Sequence, residues 1–454
     1  MISSNDAHVS DMTTGKPFRL LLRFALPLFL GNLLQQIYNL ADTAIAGHIL
    51  RDAALAEIGA TAALYSLIIS LAFGLNNGLA LIVSRSFGAG DQRRLRQSVG
   101  WMLILSAACA VFLTISFLSL RVPLLRALQT PASTAPGALR YLTVILAGIP
   151  LTMAYNLEAS LLQAVGNSRT PLLFLLLSSV LNVLLDLLFM GPLDMGVGGA
   201  AIATVLSQGV CALLGAAYIR ARYPELRFTQ RDLSVSHAFV ADMFSAGVSM
   251  ALMSTIYSIG SVMLQSSINA LGNVYITAQV AGRRLAELIH IPGLALGTAM
   301  ATYASQNYGA NRRARIAQGI RTAMLLYILW WFAALAFTFM LGRVAVQLIT
   351  DTENATVLSA ATQYLYISIP MIPPMAAVVI FRSALQGMNH RFSPLVCSSL
   401  ELIEKIVFAL WIVPAYGYTA VCICEPVAWV ICCIFIAVVL YRCRSELQDA
   451  PCAA

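Results

Sequence analysis

FRLLLRFALPLFLGNLLQQIYNLADTAIAGHIL, residues 18–50, is an apolar run long enough to cross a bilayer, and two residues interrupt it. Pro27 lies inside the run, where its missing backbone N–H and its clash with the preceding turn predict a bend. Asp42 also lies inside it, roughly 13 Å from the Arg51 end at 1.5 Å per residue. A carboxylate at that depth costs on the order of 2.5–3.5 kcal/mol on insertion scales. A bent helix carrying a buried acid reads as a moving part with a group that titrates or binds a cation. Such a group needs partners from elsewhere in the chain.

The rest of the chain has the same character. It is 59% apolar and 11% charged over 454 residues, against about 25% charged in an ordinary soluble domain. This excludes a soluble globule and predicts an all-α polytopic membrane protein. Twelve apolar runs stand out, at 18–47, 55–82, 98–120, 138–162, 170–191, 196–220, 238–266, 274–304, 317–341, 356–384, 394–415 and 418–441. Strand-type alternation is absent, which disfavours a membrane barrel.

Basic residues set the orientation. With the N-terminus inside, the inner segments carry Lys16, Arg19 and Arg23, then Arg93, Arg94 and Arg96, then Arg220, Arg222, Arg227 and Arg231. Arg312, Arg313, Arg315, Arg391, Arg442 and Arg444 follow on the same side, whereas the outer segments carry only Arg51, Arg121, Arg126, Arg140 and Arg343. Both termini are therefore expected in the cytoplasm, in a plasma (inner) membrane. The net charge of +8 is a topology signal spread over short loops, not a nucleic-acid footprint. The opening residues include Asp6 and Asp11 and lack a signal-peptide pattern, so the first helix is expected to stay as the anchor. The cysteines have no zinc-ribbon spacing and lie mostly within spans, where packing explains them. Trp330 and Trp331 read as lipid-facing.

An internal repeat decides the architecture. Ser84-Arg-Ser-Phe-Gly-Ala-Gly returns as Ser305-Gln-Asn-Tyr-Gly-Ala-Asn, and Arg94 and Gln97 return as Arg315 and Gln318 at the same offset. Tyr141-Leu142 pairs with Tyr364-Leu365, Ile149-Pro150 with Ile372-Pro373, Leu162-Gln163 with Leu385-Gln386, and Pro171 with Pro394. The reading is two six-helix lobes, 1–220 and 237–454, joined by a polar cytoplasmic linker at 221–236. An even number of spans per repeat gives both lobes one orientation, as in alternating-access transporters with substrate between the lobes.

Gln35-Gln36-Ile-Tyr38-Asn39-Leu-Ala-Asp42, the Ser84–Gly90 loop, Leu162-Gln163-Ala-Val-Gly166 before Pro171, and Gln306-Asn-Tyr-Gly309 occur in an order that resembles the multidrug and toxic compound extrusion (MATE) family. The likeness runs over nearly the whole chain. It implies an efflux antiporter for lipophilic, often cationic compounds, driven by inward H+ or Na+.

Partners for Asp42 come from two other spans. Asn182 and Asp186 are four residues apart and share a helix face. Asp186 lies roughly 22 Å up from the inner end of its span, and Thr204 roughly 12 Å down from the outer end of the next. These heights converge with that of Asp42 in the outer half of the first lobe. Two carboxylates, an amide oxygen and a hydroxyl suit Na+ or a shared proton. They equally suit a structural anchor between helices, and Thr204 equally suits a bond to its own backbone. The resemblance implies that Asp42, Asn182, Asp186 and Thr204 match the cation site of the family's DinF-like branch. It further implies that Gln35 and Tyr141 match its supporting network and Pro27 the bending proline. Tyr38, Asn39, Met153 and Asn156 either line a cavity or pack the core.

The second lobe does not reproduce the set: Lys405 and Ala409 stand where Asn182 and Asp186 would fall. The acids that mark a second-lobe Na+ site in the NorM-like branch look missing, so coupling is expected in the first lobe. Glu401 and Lys405 read as a satisfied intrahelical pair whose loss leaves transport largely intact. Arg283, Arg284 and Glu287 read as cavity lining or a local salt-bridge cluster, and Glu425 faces an unassigned direction. The histidines are scattered and indicate no metal site beyond a possible Na+. The expected protein is a monomer needing no cofactor, with membrane lipid and small-molecule substrates as its partners. A lipid-linked oligosaccharide flippase of the same superfamily is the alternative, which the lack of a cationic cavity disfavours. A membrane enzyme is disfavoured by the lack of any catalytic constellation, and a nucleotide-driven pump by the lack of a Walker loop.

Overall fold

An unpaired backbone N–H or C=O in hydrocarbon is too costly to leave, so apolar runs of this length close their hydrogen bonds internally as helices. The computed structural model of the chain describes residues 11–350 and 354–448, without the side chains of 51–53. Asp6 and the Arg51 side chain lie outside the described residues. Within them there is helix and no strand.

Helical backbone runs from Pro17 to Gly88 and contains the spans α1 (Pro17–Leu50) and α2 (Ala54–Gly88). There follow α3 (Gln92–Ala127), α4 in two pieces (Ala135–Ala147 and Ile149–Ala164), α5 (Arg169–Met190) and α6 (Gly196–Arg222). After two short 3-10 turns come α7 (His237–Asn269), α8 (Asn273–Gly309) and α9 (Arg313–Thr350). Then follow α10 (Ala355–Gly387), α11 (Phe392–Val407, extended by a π turn at Phe408–Ile412 and by Val413–Tyr416) and α12 (Tyr418–Arg442). Ten of these are long and apolar enough to cross a membrane, and the bent α4 is an eleventh. The segment that falls short is α11, where Glu401, Glu404 and Lys405 lie within its length. The all-α, twelve-helix expectation holds, with one polar member.

Two spans are broken, at positions that the repeat makes equivalent. The two pieces of α4 meet at 49° around Gly148, and a 3-10 turn, Ile369–Met371, interrupts α10. Pro150 and Pro373 lie just beyond these breaks and cannot donate to the carbonyl four residues back. In α10 that carbonyl belongs to Ile369, and the Trp331 indole N–H reaches it at 3.1 Å. Trp330 likewise donates to the Ile289 carbonyl at 2.9 Å. The lipid-facing reading of this pair is thus corrected: both indoles are drawn inward by carbonyls of α8 and α10. Trp331→Phe, which keeps the ring and removes the donor, is expected to lower unfolding free energy by about 0.5–1.5 kcal/mol, since the Ile369 carbonyl keeps the Ile372 N–H, read as a lower melting temperature in detergent. In α11 the π turn precedes Pro414 by the same logic, and the Ser267 hydroxyl donates to the Ala409 carbonyl at 2.9 Å.

The chain forms two compact units, one of Leu30–Ala251 and the other of Asp11–Phe29 with the chain from Leu252 onward. In the first, Leu79, Val83, Met102, Leu142, Leu146 and Leu162 form part of the core. A Cβ on Gly78 would overlap the Ala246 carbonyl, so glycine there lets the backbones of α2 and α7 touch. In the second, Met300, Tyr303, Ile320, Tyr327, Leu365 and Ile372 are buried together with Leu21 and Phe24 of α1.

The repeated polar loops have matching tasks. In the second unit the Met12 N–H donates to Gln306 Oε1 at 2.9 Å, and Asn307 Nδ2 donates to the Met12 carbonyl at 3.1 Å. Arg312 and Arg315 donate to the carbonyls of Thr13 and Gly15 at 2.6 and 2.9 Å. In the first unit Trp101 Nε1 donates to the Leu233 carbonyl at 3.1 Å, and the Arg94 guanidinium lies 4.7 Å from the Phe239 ring centre. Each loop region holds the stretch of chain that leads into a long helix, α1 in one case and α7 in the other. The linker is capped at Thr229 by the half-buried Asp232, whose carboxyl is held below its usual range by hydrogen bonds from the Thr229 N–H and hydroxyl.

Candidate functional site

The first unit brings α1, α5 and α6 together around Asp42. Asn182 and Asp186, one turn apart on α5, are 1% and 0% exposed. In the amide orientation that satisfies both ends, Asn182 Nδ2 donates to Asp186 Oδ2 at 2.8 Å and its oxygen accepts from the Thr204 N–H at 3.2 Å. The Thr204 hydroxyl donates to the Ala200 carbonyl at 3.1 Å, as a threonine in a helix commonly does. The Tyr38 phenol lies within hydrogen-bonding reach of it. The carboxyls of Asp42 and Asp186 approach closely enough that either one, when protonated, donates to the other. Oδ1 of each has no hydrogen-bond partner among the described residues. Two acids sharing one site in low dielectric bind a proton as a pair. Among the described residues no cationic side chain is among the groups acting on them.

Tyrosines close the site. Tyr141 is 8% exposed, and it and Tyr65 lie within electrostatic reach of Asp42. Tyr65, on α2, was not singled out in the sequence, because a lone tyrosine in an apolar span carries no spacing signal. Tyr38, read as lining a cavity or packing the core, lies by Thr204 and within electrostatic reach of Asp42 and Asp186. Gln35, read as part of the supporting network, donates to Asn39 Oδ1 at 3.1 Å one turn along its own helix, on a more open stretch. Met153 is 1% exposed within the core, and its carbonyl accepts from Asn76. Asn156 donates to the Thr152 carbonyl at 2.8 Å. Pro27 lies in the part of α1 that belongs to the second unit, and α-helix continues through it.

The second unit has its own polar set, of another composition. Lys405 is 1% exposed, pairs with Glu401 at 3.0 Å and lies 4.4 Å from the Tyr257 ring centre. Tyr364, the repeat equivalent of Tyr141, donates to Glu425 Oε2 at 3.1 Å. Arg283 pairs with Glu287 at 3.5 Å and also acts on Glu425. Glu404 accepts from the Cys424 thiol, with its other oxygen unpartnered among the described residues. Acids here are interleaved with bases, whereas the acids in the first unit are not. Past the end of α12, His390, Cys443 and Glu446 bring possible ligand atoms within 4.8 Å of one another. The His390–Glu446 bond at 3.1 Å satisfies both partners without an ion.

An all-α chain of membrane-length helices, with a facing pair of acids within the spans of one unit, fits a transporter class. The comparisons agree. The MatE family model matches residues 27–188 and 248–411, and the chain belongs to that family, whose members are transporters and not enzymes. It is 30% identical over 307 residues to the probable multidrug resistance protein YpnP of Bacillus subtilis, covering 67% of this chain and 68% of the relative. It is 24% identical over 390 residues to a FAD transporter of Shewanella oneidensis, covering 85% of each. A solved outward-facing multidrug resistance MATE transporter of the MOP superfamily superposes with a TM-score of 0.90 at 24% identity, covering 99% of this chain and 100% of the other. At that identity the likeness shows the fold.

Proposed function

We propose that the chain exports lipophilic, often cationic small molecules by alternating access in exchange for an inward cation, with Asp42 and Asp186 as the coupling acids. The observation that carries this reading is the facing pair of carboxyls, each with an unpartnered Oδ1 and neither with a cation beside it among the described residues. An unpaired buried charge is costly, so a bound proton or Na+ is what completes the site. Asn182 turns its N–H to Asp186 and its oxygen to Thr204. That favours a shared proton; Na+ would need the amide turned over to offer its oxygen. The multidrug names of the relatives support varied small-molecule substrates. Pro27, on the same helix as Asp42, is the proposed bending point. The transporter is read as a monomer of the plasma (inner) membrane, with both termini cytoplasmic and no organic cofactor.

The test is transport in proteoliposomes with an H+ gradient and then a Na+ gradient, each imposed in both directions. Uptake of a fluorescent lipophilic cation is expected to reverse with the H+ gradient. Indifference to both gradients would remove the antiport reading.

A further inference from the structure

The seam between α5 and α6 is polar well below the acid pair. On α5, Thr170, Ser178, Asn182 and Asp186 recur at helical spacing and are all buried. On α6, Thr204, Ser207, Cys211 and Gly215 do the same. Cys211 lies against Ser178. At the inner end Asn167 Nδ2 donates to Thr170 Oγ1 at 2.8 Å and to the Tyr223 hydroxyl at 2.7 Å, and Thr170 reaches Tyr218 at 3.5 Å. One helical turn is about 5.4 Å, the span that a single bridging water covers with two hydrogen bonds.

Midway along this seam is a third acid. Glu158, on the second piece of α4, lies roughly 9 Å from the Ala164 end by helical rise. Its carboxyl is directed at Gly215, where a Cβ would overlap it. Glycine at that position opens the face of α6 to the carboxyl. Among the described residues Glu158 has no salt bridge, and the titratable groups that act with it are Tyr155 of its own helix and Cys211 of α6; nothing from α5 or α3 brings a charge to it. A carboxyl so placed takes up a proton when closed off and releases it when water arrives.

We propose that Glu158 relays the coupling proton between the Asp42/Asp186 pair and the inner end of the first unit at Asn167 and Tyr223. One proton leaves the acid pair, the Glu158 carboxylate accepts it, and water at the inner end takes it from there. No bond between heavy atoms changes and no electron moves. This rests on the proton-coupled reading above, and the experiment separates the two.

Glu158→Gln is compared with wild type in proteoliposomes by two measurements: net substrate movement driven by a pH gradient, and exchange of labelled for unlabelled substrate at equal pH. Net movement is expected to fall by about a hundredfold, the scale of a lost proton-transfer group. Exchange needs no net proton release and is expected to keep its wild-type rate. Gly215→Ala, which displaces the carboxyl without removing it, is expected to give the same split and serves where Glu158→Gln fails to fold. Net movement and exchange falling together would assign Glu158 to substrate contact or structure, and unchanged net movement would dismiss it; either overturns the relay. A wild type indifferent to the pH gradient would remove the proton-coupled reading, and the relay with it.

Discussion

Asp42→Asn yields a protein that inserts and folds but does not export. Asparagine keeps the size of the side chain and one acceptor toward Asp186, so the packing of α1 against α5 and α6 survives. The group able to give up a proton is gone, and the pair can no longer alternate between states. Gradient-driven transport is expected to fall to about 1% of wild type or below. The melting temperature in detergent is expected to hold or rise, since a poorly solvated carboxylate has been replaced by a neutral group. Asp186→Asn behaves alike, and the double substitution adds little to either, as befits groups that act as one unit. Wild-type export by Asp42→Asn would end the assignment of coupling to this pair.

Lys405→Ala has its large effect on stability instead. The ammonium is buried between Glu401 and the Tyr257 ring and also acts on Glu425. Removing it strands a carboxylate that is 14% exposed. Breaking a buried pair from one side costs about 3–5 kcal/mol, whereas replacing both partners by uncharged groups is often neutral. Lys405→Ala is therefore expected to be poorly retained in the membrane, and Glu401→Gln with Lys405→Met to recover most of the loss. The readouts are thermal unfolding and transport per folded molecule. Because the pair belongs to the second unit and the acid site to the first, transport per molecule should change little.

Much of this was legible in the chain itself, and for identifiable reasons. Apolar runs of bilayer length reveal helices because hydrocarbon permits little else. The spacing of Asn182 and Asp186 reveals a shared face because helix periodicity is rigid. Helical rise alone brought Asp42 and Thr204 to the same height. Tyr65 and Glu158 were not legible, since each is a single polar residue whose importance depends on what another helix presents: Asp42 to the one, a glycine to the other. The inward turn of Trp331 was hidden for a related reason, as its partner is a backbone carbonyl on a different helix, at a break that the apolar pattern does not mark.

The compact units do not coincide with the sequence repeat. Their boundaries fall at Phe29–Leu30 inside α1 and at Ala251–Leu252 inside α7, whereas the repeat divides the chain at the linker between α6 and α7. What duplication would copy and what packs as a body are therefore different things. A chain severed at residues 221–236 would yield two halves that are each a full copy by descent. Neither half would be a whole body, for each would lack a helical segment that its body requires and carry one belonging to the other. Reassembly of such halves is thus obligatory exchange, and duplication in this lineage would have fixed partnership between the copies from its first generation.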